Sequence, residues 1–147
     1  MARRKSRRAL GDLPQLTEMW SVAVRLLRTW IAPPDEDPYR SFVLLVFNWS
    51  NEIIQKSEIS AEAPEAEVIL TNLLEAMRNP SRGTRQKPHR PQQVQLETTD
   101  LALGKRLEAE LATLGITLET VAQVEVFDEI VPQLEEHLRA ARNFPAF

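Results

Sequence analysis

Six consecutive apolar residues, Phe42-Val43-Leu44-Leu45-Val46-Phe47, constrain this chain more than any other feature in it. The run is rich in valine and phenylalanine and is bounded by Ser41 and Asn48. A strand of that composition has no wettable face, so it belongs inside a sheet that is covered on both sides. Six residues also fall far short of the ~20 apolar residues that a membrane-crossing helix needs. The expectation is therefore a soluble, cytoplasmic α/β protein without a transmembrane segment.

The remaining elements can be placed around that strand. Residues 1–12 read as a flexible arm, because Arg3, Arg4, Lys5, Arg7 and Arg8 crowd five positive charges into six positions. Arg7-Arg8 resembles part of a twin-arginine export signal, but Glu18, Arg25 and Arg28 interrupt the apolar segment that should follow, so export is rejected. Met19, Trp20, Ala23, Val24, Leu27 and Trp30 fall at helical spacing, which predicts an amphipathic helix within residues 13–32. Pro33-Pro34-Asp35-Glu36-Asp37-Pro38 ends that helix and makes residues 33–40 a linker to an α/β domain over 41–143. Beyond the 42–47 strand, a second strand is predicted at 52–59, and a helix carries Ile69, Leu70, Leu73, Leu74 and Met77. A third strand at 94–96, a helix bearing Leu101, Leu107, Leu111 and Leu114, a fourth strand at 116–118 and a C-terminal helix complete the order. Crossover connections through a helix are parallel and right-handed. Counting strands in this order, the expected architecture is a mixed four-stranded sheet, order 2-1-3-4, with one antiparallel edge strand. Both middle helices then lie on one face. The other face needs cover from the C-terminal helix, the Trp20/Trp30 helix or a partner.

The chemistry available is limited. No cysteine is present, so disulfides, thiol nucleophiles and thiolate metal sites are excluded, and only His89 and His137 offer imidazoles. The four glycines, at 11, 83, 104 and 115, are too dispersed for a phosphate-cradling loop. No Gly-x-Ser-x-Gly elbow occurs. Charge is strongly segregated: residues 1–30 carry +5, 31–78 carry −6, 79–91 carry +4 and 92–147 carry −6. Acidic surfaces repel a polyanion, so any grip on nucleic acid must be local, through the arm or through Arg82, Arg85, Lys87 and Arg90. Trp20 and Trp30 are core residues or anchors in a protein interface.

A strand hairpin followed by alternating helices and strands resembles a shortened ribonuclease H-like core. That resemblance implies phosphodiester cleavage with two metal ions held by carboxylates on the first strand, after a later parallel strand and on a terminal helix. Glu97 or Asp100, and Asp128 or Glu129, match the last two places. The 42–47 strand offers only Asn48, and a helix cap at Asp100 and a helix N-terminus at Asp128 and Glu129 outweigh the metal reading of those acids. The chain also resembles an uncharacterised family of bacterial domains, well represented in cyanobacteria. It does so through Leu13-Pro14-Gln15-Leu16 with Trp20, Pro38-Tyr39-Arg40, Leu74-Glu75-Ala76-Met77 with Pro80, Arg90-Pro91, Leu114-Gly115-Ile116 and Asp128-Glu129-Ile130. Relatives carry Asp near the end of the first strand, where this chain has Asn48.

Together these readings lead to a non-enzymatic interaction module, a protein–protein accessory subunit that uses no cofactor or metal and has no catalytic residue. Its expected partner is another protein, with homo-oligomerisation open. The alternative is a nucleic-acid-associated protein using the basic arm, and the third reading is a degenerate ribonuclease H-like nuclease.

Overall fold

The 42–47 run sits where its composition demands. In the computed structural model, which describes residues 10–80 and 86–142, it lies within a ten-residue strand whose Val43, Leu44, Leu45 and Val46 are fully buried. The elements in chain order are β1 (Gln15–Ile31), β2 (Tyr39–Asn48), β3 (Ile53–Ser60), α1 (Ala66–Arg78), β4 (Arg90–Glu97), α2 (Leu101–Ala112), β5 (Thr117–Val121) and α3 (Val126–Arg142). They build a five-stranded sheet in the order β3-β2-β1-β4-β5. β1 is antiparallel to β2 and parallel to β4, β2 is antiparallel to β3, and β4 is parallel to β5.

Two expectations are corrected here. The segment over 13–32 is not a helix but the 17-residue central strand, and the sheet therefore has five strands instead of four. β1 slots between the strand of the 42–47 run and β4, so those two are not neighbours. The reason is burial on both faces. Trp20, Ser21, Val22 and Ala23 are all buried, and a strand apolar on both sides loses the period of two that marks a strand in sequence. Its valines and tryptophans favour an extended chain, and pairing on both sides decides the conformation. The proline-rich segment thus connects two paired strands, with Ile31 opposite Tyr39, and does not separate two units.

Both faces are covered. α1 and α2 pack on one side around Trp20, Val22, Leu44, Val46, Val94 and Leu96. α2 approaches β5 so closely that a Cβ at Gly104 would meet Thr120 Cγ2 at 2.7 Å. Asp100 caps α2 by accepting from the Ala102 and Leu103 N–H groups at 3.0 and 3.2 Å, as its position predicts. Gly115, with φ of 73°, takes the left-handed turn that leads into β5. On the opposite face α3 lays Phe127 and Val131 over Ala23, Leu27, Val43, Leu45 and Phe47. The C-terminal helix is therefore the cover that the second face required. Among the described residues no helix is long and apolar enough to cross a membrane.

Candidate functional site

Two charged clusters sit at opposite ends of β1. At its C-terminal half, Ala23 and Leu27 pack under α3, which places Arg25 on the same face, 6.0 Å from the Phe127 ring centroid. The Arg25 guanidinium meets Glu97, the last residue of β4, in a two-pronged contact: Nε donates to Oε2 at 2.6 Å and Nη2 to Oε1 at 2.6 Å. Its third nitrogen, Nη1, donates to Asp128 Oδ1 at 2.9 Å in the first turn of α3. Glu97 Oε1 also accepts the Val124 N–H at 2.8 Å, and Asp128 Oδ2 accepts from Gln123 Nε2 at 2.6 Å. The hydrogen bond to Glu97 is the largest influence raising the guanidinium's proton affinity above its ordinary value; burial opposes it and Asp128 adds to it. The cation is permanent under any working condition.

Beside this cluster lies a cleft of about 520 Å³ between β1 and α3, lined by Arg25, Leu26, Arg28, Phe127, Asp128, Val131, Pro132 and Glu135. Pairing of β1 with β2 shifts register between Leu26 and Trp30, and β1 is paired with β4 only as far as Val22. The Arg28 and Thr29 N–H groups are taken instead by buried Glu135, whose Oε2 accepts from both at 3.1 and 2.9 Å and from Thr29 Oγ1 at 2.7 Å.

At the other end of β1, Glu18 Oε1 accepts from Trp20 Nε1 at 3.1 Å and Asn48 Nδ2 at 3.2 Å, and lies 2.7 Å from His89 Nε2. His89 Nδ1 lies 2.8 Å from the Lys87 carbonyl oxygen. Both ring nitrogens thus face acceptors, and both contacts are hydrogen bonds when the ring carries a hydrogen on each. His89, in the loop just before β4, is buried, edge-on to Trp20 at 5.6 Å, and fastens the start of β4 to β1 and β2. His137 is exposed. Next to this latch, Arg90 donates from Nε to the Leu13 carbonyl at 2.9 Å and from Nη1 to the Leu114 carbonyl, while Gln15 Nε2 donates to the Gly115 carbonyl at 2.8 Å. Three of the short motifs carrying the family resemblance meet at this one clasp.

The residues singled out from sequence separate accordingly. Trp20 is wholly buried, so it presents nothing to a partner, whereas Trp30 is 54% exposed. Arg90 is committed to two carbonyls and is structural, while Lys87 is exposed. Arg3, Arg4, Lys5, Arg7, Arg8, Arg82 and Arg85 lie outside the described residues. Asn48 belongs to β2 and is spent on Glu18 and, through Oδ1, on the Ser50 N–H, so the comparison of strand-borne acids moves to β1. Sequence patterning does not mark Arg25, Glu18 or Glu135 as site residues. Each resembles a solvated charge on a helix, although Arg25, as a lone charge between Val24 and Leu26, carries a signal.

The order of strands, with a long central β1, an antiparallel hairpin on one side and two parallel strands on the other, is a ribonuclease H-like α/β fold. The chain is similar to solved integrase structures: the HTLV-2 integrase catalytic core domain in complex with magnesium, in dimeric form (14% identity, 92% of this chain and 81% of that one, TM-score 0.55) and trimeric form (13%, 90% and 78%, 0.56). It is also similar to a chain in the simian T-cell lymphotropic virus intasome in complex with PP2A regulatory subunit B56 gamma (13% identity, TM-score 0.57). That match covers 91% of this chain but 45% of the intasome chain, so this chain spans less than half of its length. At residues 6–135 the chain matches the model of a domain of unknown function, DUF6930, and it belongs to that family. No curated protein matches it. The likeness to integrase catalytic cores corrects the expectation of a protein–protein accessory subunit, and what it shows is the architecture.

Proposed function

We propose that the chain is a nucleic-acid-associated domain on a ribonuclease H-like frame, holding phosphates through its two basic segments. The observation that carries this reading is where those segments are rooted. Leu10 begins the described chain close to Leu13 and Pro14, whose carbonyls accept from Arg90 Nε and the Arg90 N–H, the latter at 2.8 Å. The described residues that flank the two basic segments, Leu10 on one side and Lys87 to Arg90 on the other, therefore lie toward the N-terminal ends of the parallel strands β1 and β4, where Gln15 pairs with Arg90. Ten residues of β1 separate Gln15 from Arg25, roughly 30 Å at strand rise. That exceeds the ~8 Å Debye length at physiological salt, so the acidic end does not repel a polyanion held at the basic end.

Fluorescence anisotropy with labelled single- and double-stranded DNA and RNA, titrated across salt, tests the reading. Neutralising the five arm cations to alanine lowers affinity and flattens the salt slope by roughly 0.7–0.9 for each phosphate that is no longer neutralised. The triple variant R82A/R85A/K87A has the same kind of effect. Absence of binding by the intact chain even at low salt would refute it.

A further inference from the structure

The fold's usual pair of divalent ions does not fit the residues present, and the reason is a cation the chain supplies itself. Such a pair needs several anionic oxygens converging with open coordination positions. On the α3-facing side, β1 offers Ser21, Ala23 and Arg25, and none is an acid. Ser21 is itself occupied, donating to Gln95 Oε1 at 3.0 Å and accepting from Trp49 Nε1 at 2.7 Å. The two carboxylates that do converge, Glu97 and Asp128, have the Arg25 guanidinium between them. Each of their four oxygens already accepts at least one hydrogen bond. Among the described residues, no group of three His, Asp or Glu side chains is disposed to hold a metal.

We infer that Arg25 stands in place of the metal, an internal counter-ion that offsets part of the negative charge at the acidic end of the sheet and ties α3 to β1 and β4 without any dissolved ion. The inference concerns the acidic locus alone and is independent of the nucleic-acid reading, which concerns the opposite end of β1. A guanidinium matches a metal in charge placement but not in chemistry: its planar fork binds carboxylates in pairs and offers no site for a water or phosphate oxygen to be activated. Its side chain is also covalently held, so the compensation does not vary with ion concentration.

Metal titration of the intact chain tests this with readouts that need no activity. With Mn²⁺ added, amide signals of Glu97, Val124 and Asp128 keep their line widths, and the melting temperature is the same with Mn²⁺ or with chelator. Arg25→Asp supplies a third carboxylate in place of the cation. Its melting temperature falls in chelator and rises with Mn²⁺ or Mg²⁺, and the same amides broaden. Arg25→Gln, which keeps most of the side chain's length and is the milder change, melts lower than the parent. Broadening at these amides in the parent, abolished by Asp128→Asn, would overturn the inference. So would an Arg25→Asp protein that folds yet melts identically with and without metal, or an Arg25→Gln protein as stable as the parent.

Discussion

Removing the Glu135 side chain tests how α3 is held to the sheet. Where β1 bulges between Leu26 and Trp30, the N–H groups of Arg28 and Thr29 have lost register with β2 and lie beyond the reach of β4. The Glu135 carboxylate accepts both, and the Thr29 hydroxyl as well, on a single oxygen of a residue only 5% exposed. An orphaned buried donor costs about 1–3 kcal/mol, with the low end applying where water can enter. The adjoining cleft admits water, so the two backbone donors come to roughly 2 kcal/mol and the hydroxyl adds about 0.5–1. Glu135→Ala should therefore destabilise the chain by about 2–3 kcal/mol, and Glu135→Gln, which keeps an acceptor, by about 1. The neighbouring Glu136 is exposed, and its alanine variant should stay within about 0.5 kcal/mol of the parent. Urea denaturation at a common m-value measures all three. Amide exchange at Thr29 should accelerate selectively in Glu135→Ala. If that variant matched Glu136→Ala in stability and left Thr29 exchange unchanged, the carboxylate would not be acting as the missing strand partner.

The other expectations bear on the core and on chemistry. Leu45→Asp places a charge at a fully buried position between β2 and α3, at a cost of several kcal/mol that is comparable with total stability; a soluble, cooperatively melting variant would refute the packing described. The purified chain should leave single- and double-stranded DNA and RNA uncut in Mg²⁺ or Mn²⁺, and cleavage abolished by Glu97→Gln and by Asp128→Asn would contradict this.

Much of the fold is legible in the sequence because most elements show an unmixed pattern. Ile69, Leu70, Leu73 and Met77 bury one side of α1, and Val94 and Leu96 alternate with polar neighbours in β4. β1 is misread for a physical reason. Its buried residues occupy both faces, and its polar ones, Glu18, Arg25 and Arg28, are spaced so that a helical wheel sorts them to one side equally well. The consequence reaches the site. With β1 taken for a helix, the 42–47 strand occupies the place of the first strand, where the nearest polar side chain is Asn48. Glu97 and Asp128 stand out as candidates from their positions alone, but the residue between them lies on an element assigned elsewhere. No local pattern pairs Arg25 with residues 72 and 103 positions further along the chain.

The same strand links the clasp to the acidic locus. β1 enters the sheet at the Arg90 clasp and leaves it past Arg25, so one continuous element runs from that clasp to the acidic locus. Glu97 and Asp128 are brought together by the ends of β4 and α3, and a cation between them relieves the repulsion of two carboxylates so placed. A bound metal would answer that need with an exchangeable ion and open coordination, which is what phosphoryl chemistry uses. Arg25 answers it with a fixed charge whose donors are already committed, which favours order over reactivity. The stabilising part of a metal site is thereby kept while its Lewis acidity is given up. In the proposed nucleic-acid-associated role, phosphate recognition then falls to the opposite end of the sheet, where the acidic locus does not oppose it.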